Sequence, residues 1–293
     1  MSKRFPLVEM TDNHMCRIGF QAPRPEFFYP SEAGVSWTDP HGEVRNEGSC
    51  PRAVYYRLTN GVKKAPTNPY SQWIFALGKH VELILIEQYK QMGIWEASNI
   101  KFFNKEQGIS GELDCLVRDP ATNELICIEC KSIYGYNATR DVIKGTRTVV
   151  PKPKTANLLQ ILLYLDFFKD TINYGKLVYY ARDSAARREY DISIMEDPNT
   201  GLKHPMVDGV VDPRFTVNDI YARYEMIRSH IEQKIVPDTG YEKAWSDSKI
   251  NRRADLGEIS KSALEAYKKK GQPIGDWICN PLYCPYSEIC WGE

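Results

Sequence analysis

Apolar and polar residues alternate along residues 109–117, with Ile109, Gly111, Leu113, Cys115 and Val117 on one side and Ser110, Glu112, Asp114 and Leu116 on the other. A period of two predicts a half-buried strand. Turn residues follow at Asp119-Pro120-Ala121-Thr122-Asn123, and residues 125–131 predict a second, more buried strand. Residues 71–92 predict a long amphipathic helix stopped at Gly93. Leu158, Leu159, Ile161, Leu162, Leu165 and Phe168 predict a mostly buried helix over 155–170. Segments 176–180 and 189–194 read as a hairpin around Arg182, Asp183, Arg187 and Arg188, and 217–233 and 260–270 as helices with a polar stretch between. A short helix is expected after Ser49-Cys50-Pro51, stopping at Asn60-Gly61. Residues 1–48 read as an irregular lead-in and 133–157 as a polar connection. The pattern is that of an α/β fold, divided at about 1–70, 71–200 and 201–293.

A chain of 293 residues can bury a substantial core. Its net charge is zero, so contact with nucleic acid has to rest on local basic patches. The first residues lack an apolar signal region, and no apolar run approaches the ~18 residues of a membrane span. A cytoplasmic protein without membrane contact is expected, its eight cysteines being thiols or metal ligands rather than disulfides.

Chemistry collects on the paired strands. Glu129 and Lys131 are two apart and share a face; if the strands pair, Asp114 joins them. Two carboxylates suit a hard divalent cation, and an ammonium beside them suits phosphate chemistry. The plain alternative is a hairpin with a surface ion pair, which the buried character of the second strand opposes. On the long helix, Gly78 and Glu82 are i,i+4, so the bare glycine leaves room beside the carboxylate. Gln160 and Tyr164 are likewise i,i+4 among apolar neighbours, where a buried amide and phenol need partners. Lys152, Lys154, Arg182, Arg187 and Arg188 are candidates for phosphate contact, and equally for solvated loops. Near the end of the chain Cys279, Cys284 and Cys290 form a knuckle too short for a core of its own, the kind of segment a metal holds together. Three thiolates need a fourth ligand for Zn²⁺ or an iron–sulfur cluster. Cys115, Cys127 and Cys130 read as small core residues.

The ordered set Gly78-x-x-x-Glu82, Asp114, Glu129-x-Lys131 and Gln160-x-x-x-Tyr164 resembles the PD-(D/E)xK nuclease superfamily in its RecB-like branch. With Cys50 upstream of the three late cysteines, it is similar to the CRISPR-associated and phage iron–sulfur exonucleases. The first spacing of the late cysteines, C-x4-C, departs from the commoner C-x2-C. The resemblance implies a restriction-endonuclease-like core, a mixed central sheet flanked by helices, with a helical region stapled by a 4Fe–4S cluster on Cys50, Cys279, Cys284 and Cys290. Zn²⁺ is the second choice for those thiols. It implies Mg²⁺ or Mn²⁺ held by Glu82, Asp114, Glu129 and the Cys130 backbone carbonyl, with Lys131, Gln160 and Tyr164 completing the catalytic set. The expected activity is metal-dependent hydrolysis of DNA, exonucleolytic on single-stranded or end-containing substrate, with a helicase or another recombination or integration protein as partner. Two readings of other classes are a catalytically silent iron–sulfur scaffold that binds DNA for a helicase or integration complex, and a zinc-stapled interaction domain; a third keeps catalysis but makes it endonucleolytic.

Overall fold

The computed structural model describes residues 7–18, 27–59, 69–281 and 283–292. In chain order the elements are helix α1 (Leu7–Ile18), strands β1 (Gly34–Thr38) and β2 (Val44–Gly48), helices α2 (Pro51–Thr59) and α3 (Pro69–Gln91), and strands β3 (Trp95–Asn104), β4 (Ile109–Arg118) and β5 (Leu125–Ile133). Then come α4 (Tyr136–Thr139), one π-helical turn (Arg140–Lys144), α5 (Thr155–Phe167), β6 (Tyr174–Ala181), β7 (Arg187–Glu196), β8 (Lys203–Val207) and β9 (Val210–Val211). Helices α6 (Val217–Gln233), α7 (Asp247–Asp255), α8 (Lys261–Lys270) and α9 (Ser287–Trp291) end the chain. Among the described residues no helix is long and apolar enough to cross a membrane.

The chain divides into two compact units. One comprises Met1–Ser49 and Thr67–Arg228, the other Cys50–Pro66 and Ser229–Glu293. The first is an α/β unit built on a mixed seven-stranded sheet ordered β3-β4-β5-β6-β7-β8-β9. Its one parallel pair is β5–β6, joined by the crossover that carries α5. The two faces are filled from opposite parities of the strands. Ile86 of α3 packs on Cys115, Val117, Ile126 and Ile128, whereas α5 covers the face that presents Glu129 and Lys131. Eight consecutive residues of α5, Leu158–Leu165, are buried, so the helix is a core element all round.

The expected strands at 109–117 and 125–131 are β4 and β5, and the long helix ends at Gly93, whose φ of +72° suits a residue without a Cβ. Several segments differ from the reading of the sequence. Residues 1–48 hold α1 and an antiparallel hairpin, β1–β2, in place of an irregular lead-in. The connection 133–157 contains α4 and the π-helical turn. Arg187 and Arg188 open strand β7 rather than sitting on a hairpin tip. The sheet runs on through β8 and β9, so the boundary expected near residue 200 lies inside the first unit.

In the second unit α7 and α8 start at serine caps, Ser246 accepting from the Lys249 N–H and Ser260 from the Ala263 N–H. Helix α7 lies in the stretch read as polar connection. Cys50, Tyr241 and Cys279 form a small buried cluster with Ala53 and Ile278 against it.

Candidate functional site

Strands β4 and β5 pair only from Arg118↔Leu125 to Cys115↔Ile128. Beyond that point β4 continues against β3 and β5 against β6, so the two strands part. Asp114 and Glu129 are the first residues past the last pair. The gap leaves backbone groups of β5 without a strand partner, and Asp114 fills part of the need: its Oδ2 accepts from the Cys130 N–H at 3.0 Å. In an extended strand the N–H and C=O of one residue project toward the same side. The Cys130 carbonyl is therefore directed to the same gap as its N–H.

Glu129 is fully buried. Its Oε1 lies 2.5 Å from Lys131 Nζ in a charge-assisted contact, and its Oε2 is buried without a hydrogen-bond partner among the described residues. An ionised carboxylate so placed is costly unless a cation completes its surroundings. Lys131 Nζ donates to Gln160 Oε1 at 3.0 Å, Gln160 Nε2 donates to Tyr164 Oη at 2.8 Å, and Tyr164 Oη donates to the Glu112 carbonyl at 3.0 Å. The i,i+4 pair of α5 thus ties the lysine back to β4, two residues before Asp114. Gly111 makes the close approach of this layer workable, since a Cβ there would stand 2.5 Å from the Phe102 ring, which packs edge-on against Tyr164.

Glu82 is buried on α3, and its Oε1 lies 2.5 Å from Lys79 Nζ, which also donates to Asn99 Oδ1 at 3.1 Å. Gly78 faces the Ser132 hydroxyl: a Cβ there would meet Oγ at 3.2 Å, so the bare position gives room to β5. His80 is exposed. Lys79 was not among the residues singled out from the sequence, although its i,i+3 spacing to Glu82 was there to be read.

The electrostatics follow from three acids drawn out of water around two ammonium groups. Burial, then the charges of Glu129 and Glu82, push Asp114 up to about 8, against the opposing pull of Lys131 and the Cys130 N–H. Burial also raises Glu129, with Lys131 opposing. For Lys131 burial is the largest influence and works to lower the pKa, but the charge and hydrogen bond of Glu129 together with Asp114 and Cys130 outweigh it, so the ammonium is held more firmly than in water. The pocket is short of positive charge, which fits a cation bound by oxygen donors. Among the described residues, no three His, Cys, Asp or Glu side chains are set to hold a metal ion as they stand.

Two thiols of the second unit, Cys50 and Cys279, come together from distant parts of the chain in one small buried cluster. Cys50 precedes α2, where its sulfur receives the N–H groups of Arg52 and Ala53 and lies 3.3 Å from the Thr239 carbonyl. Cys279 ends a 3-10 turn, and its carbonyl accepts from Ser287 Oγ at 3.1 Å. Burial, then Cys50, Asp276, Cys284 and Cys290, push the Cys279 thiol up to about 12. Burial raises Cys50 as well, with Cys284 and Cys290 contributing. Thiols are the donor type that zinc and iron–sulfur clusters take, but among the described residues no three of these cysteines are set to hold a metal as they stand. Cys115 and Cys127 are fully buried core residues, as read, and Cys130 is partly exposed.

The candidate phosphate-contacting residues separate. Arg187 and Arg188 point to opposite faces of β7, Arg187 exposed and Arg188 half-buried. Arg182 reaches the Ile74 carbonyl at 3.4 Å and lies over the Tyr134 ring. Lys152 and Lys154 are exposed just before α5.

No protein-family model and no curated protein matches the chain. A solved structure described as "Crystal structure of SSO0001" is similar to it, at 16% sequence identity over 98% of each chain and a TM-score of 0.44.

Proposed function

We propose that this chain is a metal-dependent deoxyribonuclease of the PD-(D/E)xK kind, hydrolysing phosphodiester bonds as an exonuclease on single-stranded or end-containing DNA. The observation that carries the reading is the meeting of Asp114, Glu129 and Lys131 where β4 and β5 part, with Gln160 and Tyr164 fastened to the lysine. In this reading the α/β unit is a restriction-endonuclease-like core. Asp114, Glu129 and the Cys130 carbonyl would hold Mg²⁺ or Mn²⁺, with Glu82 as a direct or water-mediated ligand. Such an ion, when bound, polarises a phosphate and lowers the pKa of a coordinated water.

The remaining chemistry belongs to the chain. Lys131, kept protonated by its carboxylate neighbours, sets a charged N–H donor beside the phosphate, where negative charge grows in the transition state. Gln160 holds the ammonium in line through its Oε1, and Tyr164 fixes the amide so that Oε1 rather than Nε2 faces the lysine. Neither side chain needs to gain or lose a proton.

In the second unit Cys50, Cys279, Cys284 and Cys290 would hold a 4Fe–4S cluster as a structural staple, with Zn²⁺ as the competing occupant. A cytoplasmic setting and a helicase or other recombination or integration partner accompany this reading. The test is incubation of the protein with end-labelled single- and double-stranded DNA in Mg²⁺, Mn²⁺ or EDTA. Metal-dependent loss of end label is expected. Binding without cutting under every metal would leave a DNA-binding scaffold in place of an enzyme.

A further inference from the structure

Outside the carboxylate pocket, the first unit concentrates positive charge just beyond the strand that holds Glu129 and Lys131. The connection from β5 to α5, residues 133–157, carries five Lys or Arg and one acid, Asp141, in a chain whose net charge is zero. Arg140 occupies that acid at 2.6 and 3.0 Å. Among the described residues Lys144, Arg147 and Lys154 make no ion pair with a carboxylate, and Lys152 acts on Asp212 through its charge. Tyr134 and Tyr136 are exposed on the same connection.

The sheet register extends this charge toward the pocket. Lys131 pairs with Tyr179, and Tyr179 with Arg188, so the three share a face across β5, β6 and β7. Adjacent strands lie ~4.8 Å apart, which puts the Arg188 backbone about 10 Å from that of Lys131. Tyr179 is buried, and its hydroxyl accepts the Lys154 N–H at 3.1 Å and donates to Asn157 Oδ1 at 2.9 Å, pinning the start of α5 above the row. Lys154 keeps an exposed face, yet the surrounding protein mass partly desolvates its ammonium and lowers its pKa.

Among the described residues Arg188, like Arg182, makes no ion pair with a carboxylate, and its guanidinium lies over the Tyr190 ring at 4.9 Å. Its Nε is buried without a hydrogen-bond partner, and Nη1 makes one long contact, 3.5 Å, to the Ile143 carbonyl in the π-helical turn. The acids nearest it in sequence, Glu189 and Asp191, belong to the other face, where both engage Lys176 at 3.0 and 2.5 Å. By contrast Arg45, Arg118, Arg140 and Arg214 each hold a carboxylate. A guanidinium without a carboxylate among the described residues, with unused donors, is matched to a phosphate supplied from outside.

We infer that Arg188 and Lys154 grip a phosphate of a single-stranded nucleic acid neighbouring the one that reaches Lys131, and that Arg187, on the opposite face, takes no part. The inference rests on the nuclease reading and adds to it a second phosphate contact, on the β7 side of the pocket beside the basic connection. Tyr134 and Tyr136 offer stacking surfaces that unpaired bases can use.

The experiment is fluorescence anisotropy with fluorescein-labelled oligothymidylate in EDTA across a salt series, on wild type, Arg188→Ala, Lys154→Ala, their double variant and Arg187→Ala. Each lost phosphate contact should lower the slope of log K against log salt by about 0.7 for a single strand. The double variant should bind about tenfold or more weakly, Arg188→Lys should restore much of the slope, and Arg187→Ala should match wild type. With Mg²⁺ or Mn²⁺ and cleavage measured, KM should rise while kcat stays within about threefold, the signature of lost uniform binding. Lys154, being exposed, tests the idea even if Arg188→Ala fails to fold. An unchanged slope in a folded double variant, or equal losses from Arg187→Ala and Arg188→Ala, would overturn the inference while leaving the nuclease reading standing. A wild type that neither binds nor cuts nucleic acid would remove the nuclease reading itself.

Discussion

The carboxylates of the sheet and the thiols of the second unit are both titratable groups withdrawn from water, yet different forces hold them there. Asp114, Glu129 and Lys131 stand on strands fixed by a seven-stranded sheet, with the apolar layer of α5 on one face and α3 on the other. The sheet places them whether or not a cation is bound, and the cost of crowding them appears as raised carboxylate pKa values. The four cysteines lie where few large apolar side chains are buried: Val54, Tyr55, Tyr241, Ile250 and Tyr286 among the described residues. There Cys50 and Cys279 are themselves part of the small core, so a metal on the thiols would also hold the fold. One centre is strained by a fold that stands without it. The other, if the thiols bind a metal, would supply part of the reason its fold stands.

Breaking the thiol set should therefore have the largest structural effect. Cys279→Ser is expected to lose the absorbance near ~400 nm that iron–sulfur ligation gives. It should also expose the second unit to protease while the sheet stays protected, since structural metal sites are worth on the order of 10 kcal/mol. Equal protection of both units in the variant would count against a staple.

The carboxylate centre should respond to pH instead. In metal-free protein Asp114 is raised from 3.8 to about 8. Between those values the native state keeps a proton that the unfolded chain has released, so native stability falls as pH rises through this window. Glu129 acts in the same direction. The raised Lys131 stays protonated in both states across the window and leaves the slope alone. Denaturation in EDTA at pH 5 and pH 8 should show wild type losing stability toward pH 8, by at most about 1.4 kcal/mol per pH unit for each group. Asp114→Asn should flatten the dependence. A wild type that gains stability over the same window would contradict the geometry.

A smaller effect is expected along the hydrogen-bond chain on α5. Tyr164→Phe removes the donor to the Glu112 carbonyl and the acceptor of the Gln160 amide, at a cost of about 1–3 kcal/mol in chemical denaturation. Gln160→Ala frees the Lys131 ammonium and should lower kcat by between about ten- and a hundredfold with KM little changed. The smallest change is Gly78→Ala, where a gain in helix propensity of about 1 kcal/mol is offset by the 3.2 Å approach to Ser132 Oγ. A stability within about 1 kcal/mol of wild type is expected. A large loss there would mean that α3 lies closer to β5 than described.

The residues of the pocket could be read from the chain because their relations are local. Two residues apart on a strand share a face, and four apart on a helix share a side, so Glu129 with Lys131 and Gln160 with Tyr164 needed no tertiary knowledge. The parting of β4 and β5 could not be read, since nothing in the run from Ile109 to Ile133 marks where pairing stops. The role of Gln160 was likewise open until Lys131 appeared as its partner. Strand β3 was hidden by a bulge between Trp95 and Ala97 and by the left-handed Asn99, which break the alternation a strand would display. Helix α1 and the β1–β2 hairpin carry few of the buried apolar residues that make a pattern, and Leu7, Val8 and Met10 of α1 are exposed. Adjacent arginines at 187 and 188 look alike in sequence, and only the strand parity of β7 parts them.

The most direct test compares wild type with Lys131→Ala, both purified without oxygen, on end-labelled single-stranded DNA with Mn²⁺. Lys131 makes its ion pair with Glu129 and its hydrogen bond with Gln160 inside the pocket, so its loss leaves the basic connection intact. The account predicts metal-dependent cleavage by wild type and at least about a hundredfold loss in the variant, with binding of the strand retained. Equal cleavage by the two proteins, or none by either under any metal, would contradict it.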